Sequence, residues 1–334
     1  MFLRSSSQTL ITGVYRSGTE FVTQLLSTHP SLSATMYRVN VLRFCYGRFD
    51  PIEDPVQWGL ALDEIEQRLH ARYAMVLCRD HVEADLRSRD KVTYGVLYDA
   101  VMTALYLTDA TRHWAEKCQL LWREIPAFLE MMPNGRAILV LRDPRSILAS
   151  FKHYTYAPKP AYLGAIFNAL DAMAMGLRWL RELPKDRFLI VRYEEAATDP
   201  AIATQRMHDF LQLPAASQLR DQSTWRDVHG RPWSSNSSFH ANDDAQAFDV
   251  QASIDRWKQV LGREEIGLTE TVCGETMAAF GYQPSSVDFN WLTSLRLFME
   301  DDAMTTHFRR WLMTGEGVEA FPSDPLNPIN WRKE

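Results

Sequence analysis

The stretch AILVLRD, residues 137–143, constrains the fold more than any other part of the chain. Five consecutive apolar residues are closed by a charged turn. A run this short and this continuously apolar fits a strand buried on both faces, because a half-wet strand would alternate. Three further runs have the same character: TLITGV (9–14), CQLLW (118–122) and RFLIVR (187–192). A helix-like stretch follows each strand. Phe21, Leu25 and Leu26 set one pattern that stops near His29-Pro30. The others are Ala127–Met132, Ser146–Tyr154 and Ala201–Leu211. Short apolar strands separated by helices predict an α/β chain with a central parallel sheet flanked by helices.

At 334 residues the chain fits one large domain or two small ones, and 46% hydrophobic residues supply a substantial core. The formal net charge of −6 gives no global basic field. It disfavours a nucleic-acid partner, so any anion must be held by a local cluster of Arg and Lys. Cys45, Cys78, Cys118 and Cys273 are too scattered to suggest a zinc ligand pair or a redox pair. No metal-ligand spacing is visible. The first strand begins close to Met1, which leaves no room for a signal peptide, and no apolar run is long enough to span a bilayer. The expectation is a cytoplasmic protein with reduced thiols and no membrane span.

Ligands of doubly covered parallel sheets bind at the carboxyl ends of the strands. There the sequence places Tyr15-Arg16-Ser17, Arg123-Glu124, Arg142-Asp143 and Tyr193-Glu194. In GVYRSGTEF a strand bends sharply into a helix, which aims backbone N–H groups and the helix dipole at one spot. Gly18 permits close backbone approach, Ser17 and Thr19 add hydroxyls, and Arg16 adds a fork suited to phosphate or sulfate oxygens. Taken alone, the fragment reads equally well as a capped helix with a surface arginine. In LVLRDPRSILASF, Arg142 leaves a strand and Pro144 opens a helix. Ser150 follows about two turns later, so Arg142 and Ser150 can reach one group. Here too, a capping Asp143 and a core-facing serine is an equal alternative.

Together the two loops resemble those of the PAPS-dependent sulfotransferase family, in its soluble, bacterial-type form. PAPS is 3′-phosphoadenosine-5′-phosphosulfate. The first loop is similar to that family's 5′-phosphosulfate loop. The second is similar to its 3′-phosphate motif, an Arg at a strand end with a Ser eight positions on. FLIVRYEEAATDPAIATQRMHDFLQLP, WSSNSSF, RWKQVL and MAAFGYQP extend the resemblance over roughly residues 8–284. It implies a fold related to the phosphate-loop nucleoside triphosphatases. It also implies in-line transfer of a sulfuryl group from PAPS to a hydroxyl or amine of a small-molecule, glycan or lipid acceptor, releasing PAP without a metal. By position, Arg16, Ser17, Gly18 and Thr19 would hold the phosphosulfate, Arg142 and Ser150 the 3′-phosphate, and Tyr193 the adenine. The loop around Arg231, Trp233 and Ser237 would close over the nucleotide.

The general base is the weak point of this resemblance. The family often carries a Glu soon after a His-Pro like His29-Pro30, but here the sequence is SATMYRVN. A second family pattern places a polar residue after a Lys at a strand end. That position reads LWREIP, with Arg123 in place of the Lys and Glu124 as the expected base, alongside Arg16. The competing reading of Glu124 is a salt bridge to Arg123 or Arg16. Glu20 is the runner-up, with helix-dipole compensation as its alternative. His153 reads as structural, and His81, His113 and His240 have no assigned place.

Residues 1–284 are expected to form the sulfotransferase-like domain. Within it, 37–117 form a helical cap bearing on the acceptor, and 95–117 form a single helix. MYRVNVLRFCYGRF would line an acceptor pocket or form a core helix with solvent-facing arginines. Residues 222–250 read as a long loop. Residues 285–334 read as a C-terminal helical extension with one helix, 291–313. A small-molecule kinase and a non-catalytic nucleotide-binding or scaffold protein are the alternatives. The absent Gly-Lys-Ser/Thr argues against the kinase.

Overall fold

The computed structural model describes residues 7–36, 38–154, 161–216, 218–220, 222–226, 232–233 and 250–315. Five strands form one sheet: β1 (Ser7–Gly13), β2 (Leu32–Met36), β3 (His113–Lys117), β4 (Arg136–Leu141) and β5 (Phe188–Arg192). Their order is β2-β3-β1-β4-β5, and every pairing is parallel. The apolar runs behave as strands covered on both sides. In β4, Ala137, Leu139 and Leu141 enter one apolar cluster, while Ile138 and Val140 enter the other. Leu10 and Ile11 divide in the same way along β1.

The strand order places a crevice at a defined point. From β1 the chain crosses to β2 on one side of the sheet, and from β4 it crosses to β5 on the other. Because β1 and β4 are neighbours, the loops leaving them diverge and open a crevice between their carboxyl ends.

The sequence misplaces one strand. CQLLW is not a strand element. The strand is the segment before it, HWAEK, and the expected helix over 95–117 ends at Tyr106. Thr108 and Thr111 make the break: the Thr108 hydroxyl accepts from the backbone N–H groups of Ala110 (3.2 Å) and Thr111 (3.1 Å), a turn that competes with helix. HWAEK escaped notice because it buries two charges, Glu116 and Lys117, each 0% exposed. Glu116 accepts from the N–H groups of Val39 (2.7 Å) and Asn40 (2.9 Å) and from the Tyr98 hydroxyl. CQLLW instead runs beside β1 as irregular chain, with Cys118 N–H on the Ile11 carbonyl at 2.8 Å, and buries Leu120 and Trp122.

The region expected as a helical cap contains the helices Pro55–Tyr73, Arg79–Arg87 and Tyr94–Tyr106. Asp54 starts the first of these by accepting from Val56 N–H at 2.9 Å, with proline at the first helical position. The helix expected over 291–313 is two helices, Trp291–Met299 and Asp302–Thr314. Asp301 caps the second, its carboxylate accepting from Met304 N–H at 3.0 Å. Phe298 and Met304 from this pair are buried in the larger apolar cluster. Among the described residues no helix is long and apolar enough to cross a membrane.

Candidate active site

The loop after β1 turns on two left-handed residues, Arg16 at φ 68° and Gly18 at φ 90°. Glycine takes that region freely, but arginine does not. Such a residue costs on the order of 1–3 kcal/mol, and the surroundings must hold it there. Two contacts do so. The Arg16 carbonyl accepts from the Arg142 guanidinium at 2.9 Å, and Arg16 Nε donates to Ser150 Oγ at 2.9 Å. The two sequence motifs, 134 positions apart, thus meet directly. Gly18 has a second reason to be glycine: a Cβ there would lie 2.1 Å from Cδ2 of Tyr193.

Arg142 is the hub. It is 8% exposed and stacks over the Tyr193 ring at 4.3 Å. One guanidinium nitrogen donates to the Arg16 carbonyl, and another donates to the Ser253 carbonyl at 2.5 Å. The Tyr193 hydroxyl and Ser253 Oγ share a hydrogen bond of 2.8 Å. The β4 and β5 exits are latched together by Glu194, which accepts from Asp143 N–H (2.9 Å) and the Tyr282 hydroxyl (2.8 Å). Burial raises the Glu194 carboxyl above its ordinary range, while those bonds and Arg142 draw it back.

Tyr15, Arg16, Gly18, Thr19, Arg142, Ser150 and Tyr193 line one pocket at the β1–β4 crevice. Arg142 Nε, on the pocket lining, is buried without a hydrogen-bond partner among the described residues, as is the Ser17 hydroxyl, which belongs to the loop but not to the lining. A buried donor left in that state costs about 1–3 kcal/mol, so Arg142 Nε on the wall of the pocket points to an anionic ligand. The loop, its helix N-terminus at Thr19 and the guanidinium therefore fit a nucleotide carrying phosphate or sulfate.

Sequence reasoning missed several lining residues. Gln119 donates to Thr19 Oγ1 at 2.8 Å, and Ser253 and Arg256 close the far side. Arg256 stands in RWKQVL, a stretch singled out without a role. Trp233, expected in the covering loop, does line the pocket. Arg231, Ser237 and His240 lie outside the described residues. The most consequential omission is Lys117, the true cation at the end of the strand. It is 0% exposed, and its Nζ donates to Glu20 Oε1 at 3.1 Å. Burial lowers its pKa and Glu20 pulls it back up.

Arg123 and Glu124 are not at a strand exit, and neither is among the lining residues of this pocket. Arg123 Nε donates at 2.8 Å to Asp171, a carboxylate that also holds Trp122 Nε1 at 2.7 Å. Glu124 sits at the start of the helix Ile125–Met131. The shift follows from the strand misplacement: with HWAEK in the sheet, the exit moves six residues back, from Arg123 to Lys117. Glu20, by contrast, lines the pocket.

A parallel sheet covered on both faces, with a left-handed strand-to-helix turn at its switch point, defines an α/β protein. Residues 9–217 match the sequence model of the Sulfotransferase family, and the chain belongs to that family. A carbohydrate sulfotransferase 1 of Danio rerio is 27% identical over 172 residues, covering 45% of this chain and 39% of the relative. The chain spans about two fifths of the length of that relative. Among solved structures, the sulfotransferase domain of the Synechococcus PCC 7002 olefin synthase is 15% identical, with 88% of this chain and 94% of that one covered and a TM-score of 0.47. A mouse sulfotransferase complexed with PAP is 14% identical, with coverages of 90% and 91% and a TM-score of 0.42.

Proposed function

We propose that this protein transfers a sulfuryl group from PAPS to a hydroxyl or amine of an acceptor by in-line displacement. The observation that carries the reading is the buried, unsatisfied Arg142 Nε on the wall of the pocket where Arg16 meets Ser150. Family membership supplies the chemistry. PAPS, when bound, provides the sulfuryl group and the phosphate leaving group. Arg16, Ser17, Gly18 and Thr19 hold its 5′ end, Arg142 and Ser150 its 3′-phosphate, and Tyr193 its base.

Catalysis of such a displacement rests on positioning and on charge stabilisation. Arg16 and the buried Lys117 supply fixed positive charge beside the loop. Glu20 is the carboxylate that lines the pocket, and we assign it the acceptor proton. Lys117 positions it through the 3.1 Å ion pair. The acceptor is a small molecule, glycan or lipid.

Thermal unfolding with adenosine 3′,5′-bisphosphate, compared with ATP and magnesium, tests the reading. A ligand that binds only the native state raises the melting temperature, by about 2.7 kcal/mol of stability at 100 times its Kd. The bisphosphate is expected to stabilise the protein and ATP to do little. Stabilisation by ATP alone would point to a kinase, and stabilisation by neither to a scaffold.

A further inference from the structure

Just past the end of β3 the backbone takes an unfavourable turn. Leu120 is left-handed at φ 63°, a region leucine rarely enters, and its side chain is fully buried. Both sides of the kink are pinned to β1. Cys118 N–H donates to the Ile11 carbonyl at 2.8 Å, and Leu120 N–H donates to the Gly13 carbonyl at 3.1 Å. One residue on, Leu121 N–H donates to Thr12 Oγ1 at 3.0 Å. Between these anchors stands Gln119. It is 7% exposed, it lines the nucleotide pocket, and its Nε2 donates to Thr19 Oγ1 at 2.8 Å. Strain held at one residue of a pocket wall is a pointer to function, and here it presents the amide to the anion loop.

Thr19 is also held from its other side. A Cβ on Gly13 would lie 3.1 Å from Thr19 Cγ2, so the threonine methyl rests over bare glycine backbone. A β-branched side chain is stiff at χ1, and seating the methyl settles the hydroxyl. Thr19 is 1% exposed and lines the pocket. The direction of the hydrogen bonds then follows from the donor inventory. An amide NH2 can only donate, so Thr19 Oγ1 accepts from Gln119 and keeps its own single hydrogen for another acceptor. Among the described residues no oxygen takes that hydrogen.

We infer that Gln119 is a positioning residue that sets the polarity of the anion loop: Gln119 donates to Thr19, and Thr19 donates to an oxygen at the 5′ end of the nucleotide. The inference rests on the sulfuryl-transfer reading and adds the residue that orients one of its donors. A phosphate or sulfate oxygen offers only lone pairs, so a threonine turned the other way would be useless to it. A hydroxyl already aimed needs no reorganisation as charge moves onto the departing 5′-phosphate. The neutral amide is essential to this arrangement. A carboxylate of the same shape could only accept, and it would draw the Thr19 hydrogen back from the ligand.

The test is calorimetric titration with adenosine 3′,5′-bisphosphate and with adenosine 3′-monophosphate, which lacks the 5′ group. Gln119→Met is expected to weaken the bisphosphate about tenfold or more, the loss of one well-aimed bond to a charged oxygen, and to leave the monophosphate unchanged. In a Thr19→Val background the same change should cost almost nothing further, because the amide acts through the missing hydroxyl. Gln119→Glu keeps the shape of the side chain, so it serves where Gln119→Met does not fold, and it should weaken the bisphosphate at least as much. An equal loss for both nucleotides, or the same loss with and without the Thr19 hydroxyl, would make Gln119 a plain structural tie and overturn the inference. Wild-type affinity in Gln119→Glu would overturn it as well, since the amide would then be accepting. Failure of the wild type to bind the bisphosphate overturns the sulfuryl-transfer reading beneath it.

Discussion

Glu20 follows directly on the anion loop, in the first turn of the helix Thr19–Ser27, where a carboxylate beside a bound sulfate would ordinarily repel it. The structure resolves that conflict through Lys117. The buried ammonium offsets the carboxylate charge and fixes one of its oxygens, leaving Glu20 on the pocket wall. If Glu20 takes the acceptor proton, Glu20→Gln lowers turnover by about 10²–10⁴-fold, the usual worth of a positioned base. Stabilisation by adenosine 3′,5′-bisphosphate should survive the change, which separates a chemical role from a structural one. Glu124→Gln is the natural comparison and is expected to keep near wild-type turnover. The opposite pattern, with Glu124→Gln inactive and Glu20→Gln active, would return the base to the position expected from the sequence.

At the scale of elements, the packing of the helix Pro200–Phe210 against the end of the helix Thr19–Ser27 carries a pH dependence. The rings of His29 and His208 meet edge-on at 4.8 Å. Both nitrogens of His29 are engaged: its Nε2 bonds the Pro214 carbonyl at 2.9 Å, and its Nδ1 contacts Ser31 N–H at 3.2 Å. His208 Nε2 is buried without a hydrogen-bond partner among the described residues. Burial first, then His29, depress its pKa to about 4 from an ordinary 6.5. The unfolded chain therefore takes up this proton before the native one does. The stability held in the neutral ring is complete above about pH 6.5, declines as pH falls, and is lost as pH passes through about 4. Melting curves of wild type and His208→Gln should converge between pH 7 and pH 4, and curves that stay parallel would sink the assignment.

The same scale explains what the sequence made legible. β1, β4 and β5 announce themselves because hydrophobicity alone marks them, and the exits Arg16, Arg142 and Tyr193 follow directly. β3 does not, since its identity depends on long-range partners for Glu116 and Lys117 that no local window contains. That single misplacement carried the expected base from Lys117's neighbourhood to Arg123-Glu124.

At the scale of the whole molecule, the question is whether the C-terminal helices belong to the same cooperative unit as the sheet. Their sequence suggests an appendage, separated from the nucleotide-binding motifs. Their packing argues otherwise. Phe298 is 0% exposed, with its ring 5.4 Å from Phe167 and 5.0 Å from Phe308, and it shares an apolar cluster with Leu139 and Leu141 of β4. Phe167 stands on the long helix Gly164–Glu182, whose Asp171 holds Arg123 and Trp122. A side chain deleted there leaves a cavity in a core continuous with the sheet that supports the anion loop. Phe298→Ala is therefore expected to cost about 3–5 kcal/mol, as large-to-small core substitutions do. The cost should appear as a lower midpoint of one unfolding transition. Adenosine 3′,5′-bisphosphate should still raise that midpoint, because the pocket is made by other residues. A main transition left in place, with a separate earlier melting step, would instead make the two helices an independent unit resting on the fold.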